Sequence, residues 1–270
     1  MSNYRTESRA VPLAALDAAR WRLLNFLQAL FLIFWTGLSV SLALVALALT
    51  WRTDLPLSFA RRLWGPPILK AAGARLNVKG LEHLEGTGPC IFVSNHQSMI
   101  DIAVTFTALP RNLRFVAKRE LLFVPFIGWY LWGMGMIPVD RSNRERAAES
   151  LKRAALLLQQ GAHIIAFPEG TRSRDGRVLP FKKGVFLLAL EAGVPIVPLA
   201  IDGAAQVLPS DGFRVRPGEI RIAIGEPIPT AGLSADDRDA LIHEVRERVI
   251  ALHRSIGGPL GERSLSARVA

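Results

Sequence analysis

Residues 23–50 read LLNFLQALFLIFWTGLSVSLALVALALT, 28 positions without one charged side chain. Wound as a helix, such a run is about 42 Å long, against the roughly 30 Å of hydrocarbon in a bilayer. Its two strongly polar members, Asn25 and Gln28, stand near the start, where an interface would solvate them. A water-soluble core helix of this length needs a polar face, and none is visible. A membrane helix is therefore expected. A cleaved secretory signal is the competing reading, with Ala46-Leu47-Ala48 as a cleavage-like site, but the apolar run exceeds the usual length of about 7–15 residues.

Arg5, Arg9, Arg20 and Arg22 precede the run, and Arg52, Arg61, Arg62, Lys70, Arg75 and Lys79 follow it. The excess on the C-terminal side puts the rest of the chain in the cytoplasm if the helix spans. Positive charge on both flanks also suits a helical hairpin that dips into one leaflet and bends near Gly37-Leu38-Ser39. Residues 56–76 read as a basic, aromatic-bearing interfacial segment interrupted by Pro66-Pro67.

Half of the residues are apolar and 21% are charged, which excludes a disordered chain. The net charge of +10 favours anionic partners: nucleic acid, acidic headgroups, phosphorylated substrates or an acidic carrier protein. One cysteine, Cys90, cannot form an internal disulfide, and its place in an apolar run marks it as core rather than nucleophile.

Past Lys79, short β-prone runs alternate with helical patterns. Strands are expected at residues 90–94, 114–117, 136–139, 163–167, 196–201 and 220–224, and their near-continuous apolar character suggests a sheet covered on both faces. Helices are expected at 143–160, 184–191 and 236–253, the last opened by a capping box from Ser234 to Asp237. The expected class is α/β, a mostly parallel or mixed sheet flanked by helices, behind an N-terminal hydrophobic membrane helix or helical hairpin. Three units follow: an anchoring segment 1–79, an α/β domain 80–256 and a loose tail 257–270.

Two polar segments interrupt this pattern just after strands. The first, NHQSMID (95–101), holds His96 and Asp101 five residues apart. On one helix the two would point about 140° apart. They can meet if His96 lies in the turn after a strand and Asp101 in the helix that follows; the carboxylate then fixes one ring nitrogen and leaves the other as a base. The second, FPEGTRS (167–173), combines a flexible glycine with Thr171, Arg172 and free amides able to converge on an anion. Alone, each has an ordinary explanation as a polar turn. Lys182 and Lys183 read as solvated surface, and His83, His163, His243 and His253 as structural or surface residues. The stretch LLFVPFIGWYLW (121–132) reads first as core and second as an acyl-chain channel or membrane-contact surface.

Together the two segments resemble the first and third sequence blocks of the glycerolipid acyltransferase family. GMIPVDR (135–141) resembles the second block, although Pro138 stands where an aromatic or aliphatic residue is more usual, and VPIVPL (194–199) resembles the fourth. Lys118-Arg119-Glu120-Leu121, with Pro125 and Gly128 beyond, matches another stretch, so the resemblance runs from about Gly80 to Ile228 in the family's order. It implies a glycerol-3-phosphate acyltransferase-like fold and direct transfer of a fatty acyl chain from a thioester to the sn-2 hydroxyl of lysophosphatidic acid. His96 would be the base and Asp101 its partner. Glu169, Gly170, Thr171 and Arg172 would bind the glycerol-phosphate end, with Arg141 and Lys118 adding charge. The co-substrate would be acyl-CoA or acyl-carrier protein, with no cofactor and no metal. The expected place is the bacterial inner membrane, with the catalytic domain on the cytoplasmic side.

Lyso-ornithine lipid and lysophosphatidylglycerol are alternative acceptors. A nucleic-acid-binding protein would account for the charge but not for the 28-residue apolar run, and a serine hydrolase lacks its Gly-x-Ser-x-Gly elbow. A non-catalytic membrane scaffold is the remaining alternative, against which the paired His96 and Asp101 argue.

Overall fold

The computed structural model describes residues 13–140 and 144–258. Helix α1 (Leu13–Thr50) is one unbroken rod of 38 residues, about 57 Å long. It does not bend at Gly37. The chain reverses at residues 51–53, where Trp51 takes a φ of +54°, and returns along α1 as α2 (Asp54–Phe59), a π-helical turn (Ala60–Trp64) and α3 (Gly65–Ala71). A hairpin is present, turned 14 residues later than Gly37 suggested. Pro66 and Pro67 do not break the returning arm. They occupy the first turn of α3, where their missing N–H groups leave no hydrogen bond unmade.

The polar residues of α1 dock it. The Gln28 amide donates to Ala71 O at 2.9 Å, and the Trp35 indole donates to Leu63 O at 2.9 Å. From the returning arm, the Trp64 indole donates to Thr36 Oγ1 at 3.0 Å. Buried Asn25 both accepts from Val215 N–H (2.7 Å) and donates to Val215 O (3.3 Å). The opposite face carries Phe26, Leu30, Ile33, Phe34, Val45 and Leu49, all exposed. The helix thus does have a polar stripe, too thin to show in composition, and its apolar majority faces away from the protein. It is long and apolar enough to cross a membrane.

Beyond the hairpin come β1 (Ala74–Lys79), β2 (Ile91–Ser94), α4 (Asp101–Ala108), β3 (Leu113–Lys118), α5 (Ile127–Gly133) and β4 (Ile137–Val139). They are followed by α6 (Arg144–Gln159), β5 (His163–Ala166), α7 (Gly184–Ala192), β6 (Ile196–Asp202), α8 (Ala204–Val207), β7 (Gly218–Ile224) and α9 (Arg238–Ser255). The seven strands form one sheet in the order β1-β7-β6-β2-β5-β3-β4. β2 to β6 run parallel, and β7 pairs antiparallel to β6, with β1 alongside it. β2 and β6 are buried along their whole length, as their continuous apolar character requires.

The sequence pattern missed β1. Its Arg75, Asn77 and Lys79 alternate with half-buried partners, the signature of an edge strand with one wet face. Its pairing with β7 places residues 74–79 in the sheet, so the expected boundary after Lys79 falls one strand late. The capping box ahead of α9 is present, the Ser234 N–H donating to Asp237 at 2.8 Å.

Candidate active site

The C-terminal ends of parallel strands β2 and β5 open side by side, the place where open α/β sheets commonly hold their ligands. β2 ends in a turn that carries His96, and Asp101 begins α4. The His96 Nδ1 lies 2.8 Å from Asp101 Oδ2. That same oxygen accepts the backbone N–H groups of Gln97 (2.7 Å) and Ser98 (2.8 Å). An oxygen that accepts two amide protons requires Nδ1 to donate as well, so of the two neutral tautomers the site selects the one whose lone pair is on Nε2. Asp101 is fully buried, whereas the His96 side chain keeps 15% of its surface exposed. Phe167 stacks on the imidazole at 4.4 Å between centroids, limiting ring rotation.

The surrounding x positions of His-x4-Asp explain why the turn holds. Asn95 accepts from Ile201 N–H (2.8 Å) and donates to Ile201 O (2.9 Å), tying the end of β2 to β6. The Ser98 hydroxyl donates to Leu208 O at 2.5 Å. Gln97 Nε2 donates to Gly176 O at 3.2 Å and sits 3.0 Å from Nε2 of His253, a fully buried ring on α9 that lies 3.5 Å from Asp202. From the sequence, Asn95, Gln97 and Ser98 carry no assigned role, and His253 reads as structural or surface, of which the structure shows the former. The first three lay inside the motif, but nothing local marks His253, which arrives from 156 residues away.

β5 leads into the second turn. Buried Glu169 accepts the His96 N–H at 3.3 Å, and His96 O accepts the Ser173 N–H at 2.7 Å, so backbone contacts join the two motifs in both directions. Burial pushes the Glu169 carboxyl from 4.5 to about 8, against the lowering effect of the His96 and Leu179 N–H groups. It is therefore largely protonated near neutrality. Gly170 takes a φ of +70°, and a Cβ there would meet Lys182 Nζ at 2.7 Å; the lysine read as plain surface lies over this glycine. Thr171 is exposed, and half-buried Arg172 has no hydrogen-bond or ion-pair partner among the described residues. Lys118 ends β3, next to β5, but its ammonium is paired with Glu120 at 3.1 Å and is 59% exposed. Arg141 lies outside the described residues.

Behind the first turn, an almost wholly apolar cavity of about 290 Å³ runs between α1, α3, α4 and α5. Met99 and Ile100 of the His96 turn line it, as do Val40 and Ala43 of α1 and Phe106 of α4. Leu121, Ile127, Tyr130 and Leu131, from the stretch first read as core, also line it. Phe123, Trp129 and Trp132 of the same stretch are exposed. One segment therefore serves both a cavity and an outer apolar surface.

At the ends of β2 and β5, then, an imidazole hydrogen-bonded to a buried carboxylate shares its surroundings with a guanidinium unpaired among the described residues and adjoins an apolar cavity. A family model described as Acyltransferase matches residues 75–202. The 1-acyl-sn-glycerol-3-phosphate acyltransferase of Limnanthes douglasii is 36% identical over 198 residues, covering 72% of this chain and 69% of that protein. The human 1-acyl-sn-glycerol-3-phosphate acyltransferase alpha is 37% identical over 185 residues, covering 68% and 65%. The crystal structure of PlsC, the 1-acyl-sn-glycerophosphate (LPA) acyltransferase from Thermotoga maritima, matches with a TM-score of 0.74 at 28% identity, over 86% of this chain and 94% of that one. The chain belongs to the acyltransferase family that these proteins share. It spans about half the length of the chloroplast relatives it matches, such as that of Brassica napus, where 38% identity over 178 residues covers 50% of the relative.

Proposed function

We propose that this chain transfers a fatty acyl group from an acyl thioester to the sn-2 hydroxyl of lysophosphatidic acid, giving phosphatidic acid. The observation that carries this reading is the His96–Asp101 pair, 2.8 Å apart, in a turn whose next residues line an apolar cavity. The acceptor hydroxyl attacks the thioester carbonyl as His96 Nε2 takes its proton. The tetrahedral intermediate collapses by breaking the C–S bond, and the imidazolium returns the proton to the departing thiolate. Asp101 holds Nδ1–H and offsets the imidazolium charge; its two backbone N–H bonds keep it an acceptor throughout.

The acceptor phosphate has Arg172, paired with no carboxylate among the described residues, and Lys182, which reaches over Gly170 of the same turn. Thr171 adds a hydroxyl, and Glu169 supports the turn from inside as a neutral acid. Arg141 and Lys118 are assigned to the same anion, Lys118 after exchanging Glu120 for it. The apolar cavity takes an acyl chain. The exposed face of α1, with Phe123, Trp129 and Trp132, rests in a membrane, from which the lysolipid acceptor enters, while the thioester donor arrives from the water side. A bacterial inner membrane with the site on its cytoplasmic side is the setting in which both acyl-CoA and acyl-carrier protein are available, and the net charge of +10 suits an acidic carrier.

The test is direct. The purified full chain, or His96→Ala, is incubated in mixed micelles with a long-chain acyl-CoA and an equimolar set of lysolipids, and products are identified by mass spectrometry. Phosphatidic acid as the dominant, His96-dependent product is the expected result. A different diacyl lipid would keep the mechanism and replace the acceptor. Product that forms equally with His96→Ala would remove the base assignment, and product seen only with acyl-carrier protein would assign the donor.

A further inference from the structure

The strand ends opposite the reaction site hold a second concentration of chemistry that the acyl transfer does not use. A pocket of about 480 Å³ lies between the turn of the helical hairpin and the N-terminal ends of β3 and β5. Its walls include Thr53, Arg61, Arg111, Asn112, Arg114 and His163. We propose that this pocket is a second anion site that takes a phosphate group.

Charge is the first argument. Arg61, Arg111 and Arg114 converge there, and none of them is in an ion pair among the described residues. The one carboxylate of the lining, Asp54, has a 75% exposed side chain and lies 3.7 Å from Arg52. Three guanidiniums at one concave spot repel each other unless an anion joins them, and their planar forks match phosphate oxygens. The excess charge is felt locally. Burial, then Arg111 and Arg114, pull His163 down to about 4, so its ring is neutral and can bond to an anion without competing for a proton. Its Nδ1 faces the Cys90 sulfur at 3.4 Å, and burial pushes that thiol up to about 12, so no thiolate supplies the missing negative charge.

Unsatisfied donors are the second argument. Arg61 Nε–H is closed off from solvent with no acceptor among the described residues, an arrangement that costs stability unless a small shift of the side chain turns it to an acceptor held in the pocket. Burial also pulls Arg114 below the usual guanidinium range, in part offset by Asp54. Its Nη2 is held by Thr53 at 3.1 Å and its Nε by Met134 O at 3.2 Å, which fixes the group in place. Arg111 is likewise fixed, donating to Leu84 O at 2.9 Å. These are pre-set positions rather than free-swinging surface side chains.

The ligand has two sources with one chemistry. Leu49 and Trp51, 78% and 89% exposed, stand at the hairpin turn beside Thr53, so a phospholipid headgroup can reach the pocket from the surface on which α1 rests. Inorganic phosphate or a soluble phosphate ester can also enter it.

The test uses the full chain in neutral detergent, with inorganic phosphate as the probe. Phosphate is expected to raise the Tm of the wild type and of Arg172→Ala by a few degrees. Arg61→Gln, which breaks no hydrogen bond among the described residues, is expected to weaken that response about tenfold or more in phosphate concentration. Arg111→Gln serves as the second variant if Arg61→Gln lowers the starting Tm. A phosphate response that survives both substitutions and disappears in Arg172→Ala places phosphate at the reaction site only and overturns the proposal, as does a wild type that does not respond. Flotation with phosphatidylcholine vesicles, with and without phosphatidic acid, separates the sources. A preference for the anionic vesicles that Arg61→Gln abolishes identifies a headgroup; a preference unchanged by Arg61→Gln, alongside a lost Tm response, identifies a free phosphate.

Discussion

The two turns at the candidate active site leave neighbouring parallel strands and touch each other, yet they are built in opposite ways. In the His96 turn, nearly every polar group is spoken for. Asp101 Oδ2 accepts three hydrogen bonds, Asn95 brackets Ile201, and Ser98 and Gln97 reach across to Leu208 and Gly176. In the Arg172 turn, the groups that face outward are left open: Thr171 is exposed, and Arg172 has no partner among the described residues. The contrast is what the proposed reaction asks for: proton transfer needs one geometry held in advance, while capture of an anion needs donors still unspent when the ligand arrives. The shared backbone bonds, His96 to Glu169 and Ser173 to His96, keep the open turn registered to the closed one.

Substitutions can break this contrast or sharpen it. The largest effect is expected from His96→Ala, a fall in kcat of about a hundred- to ten-thousand-fold with the Tm nearly unchanged, measured by turnover and thermal melt on the same sample. A comparable loss of Tm would mean that the turn is held by the imidazole and not by its backbone. Arg172→Ala is expected to raise the KM for lysophosphatidic acid about ten- to hundred-fold with kcat little changed, the loss of one charge-assisted hydrogen bond. An unchanged KM would move the phosphate to Lys182 and the backbone.

A smaller effect separates the two faces of α1. Replacing Leu30, Ile33 and Phe34 with Gln is expected to weaken vesicle binding several-fold and leave the Tm in detergent intact, because these residues are exposed. Deleting residues 1–55 is a blunter experiment, since it also removes Val40 and Ala43 from the cavity wall and Asn25 from Val215. The smallest effect concerns pH. Because folding raises the Glu169 carboxyl from 4.5 to about 8, the folded state holds a proton that the unfolded chain has lost, and stability falls as pH rises between those values. Glu169→Gln is expected to flatten that decline in denaturant melts from pH 4.5 to 8. An unchanged slope would show that Glu169 is ionised in the fold.

Much of the fold and the site is legible in the amino-acid sequence. Mainly apolar runs mark six of the seven strands, most clearly β2 and β6, which are buried along their whole length and have nowhere to place a polar residue. The edge strand β1 escapes for the same reason: its wet face breaks the run into an alternation that a loop could equally show. His96, Asp101 and the FPEGTRS turn are visible because local chain geometry brings them to strand ends. The sequence alone also determined that residues 23–50 are one long apolar segment, a matter of composition.

Tertiary structure decided the rest. It chose the turn at residues 51–53 over a bend at Gly37, since Gln28, Trp35 and Trp64 find their partners only when α1 stays straight and the chain returns beside it. It decided that residues 121–132 line a cavity with one face and meet the surroundings with the other, and it brought His253 behind Gln97. It assembled Arg61, Arg111, Arg114 and His163 at one pocket from three separate parts of the chain. Local sequence sets the period and the polarity of each element, but contacts between distant elements depend on how the elements pack, and no local pattern encodes that.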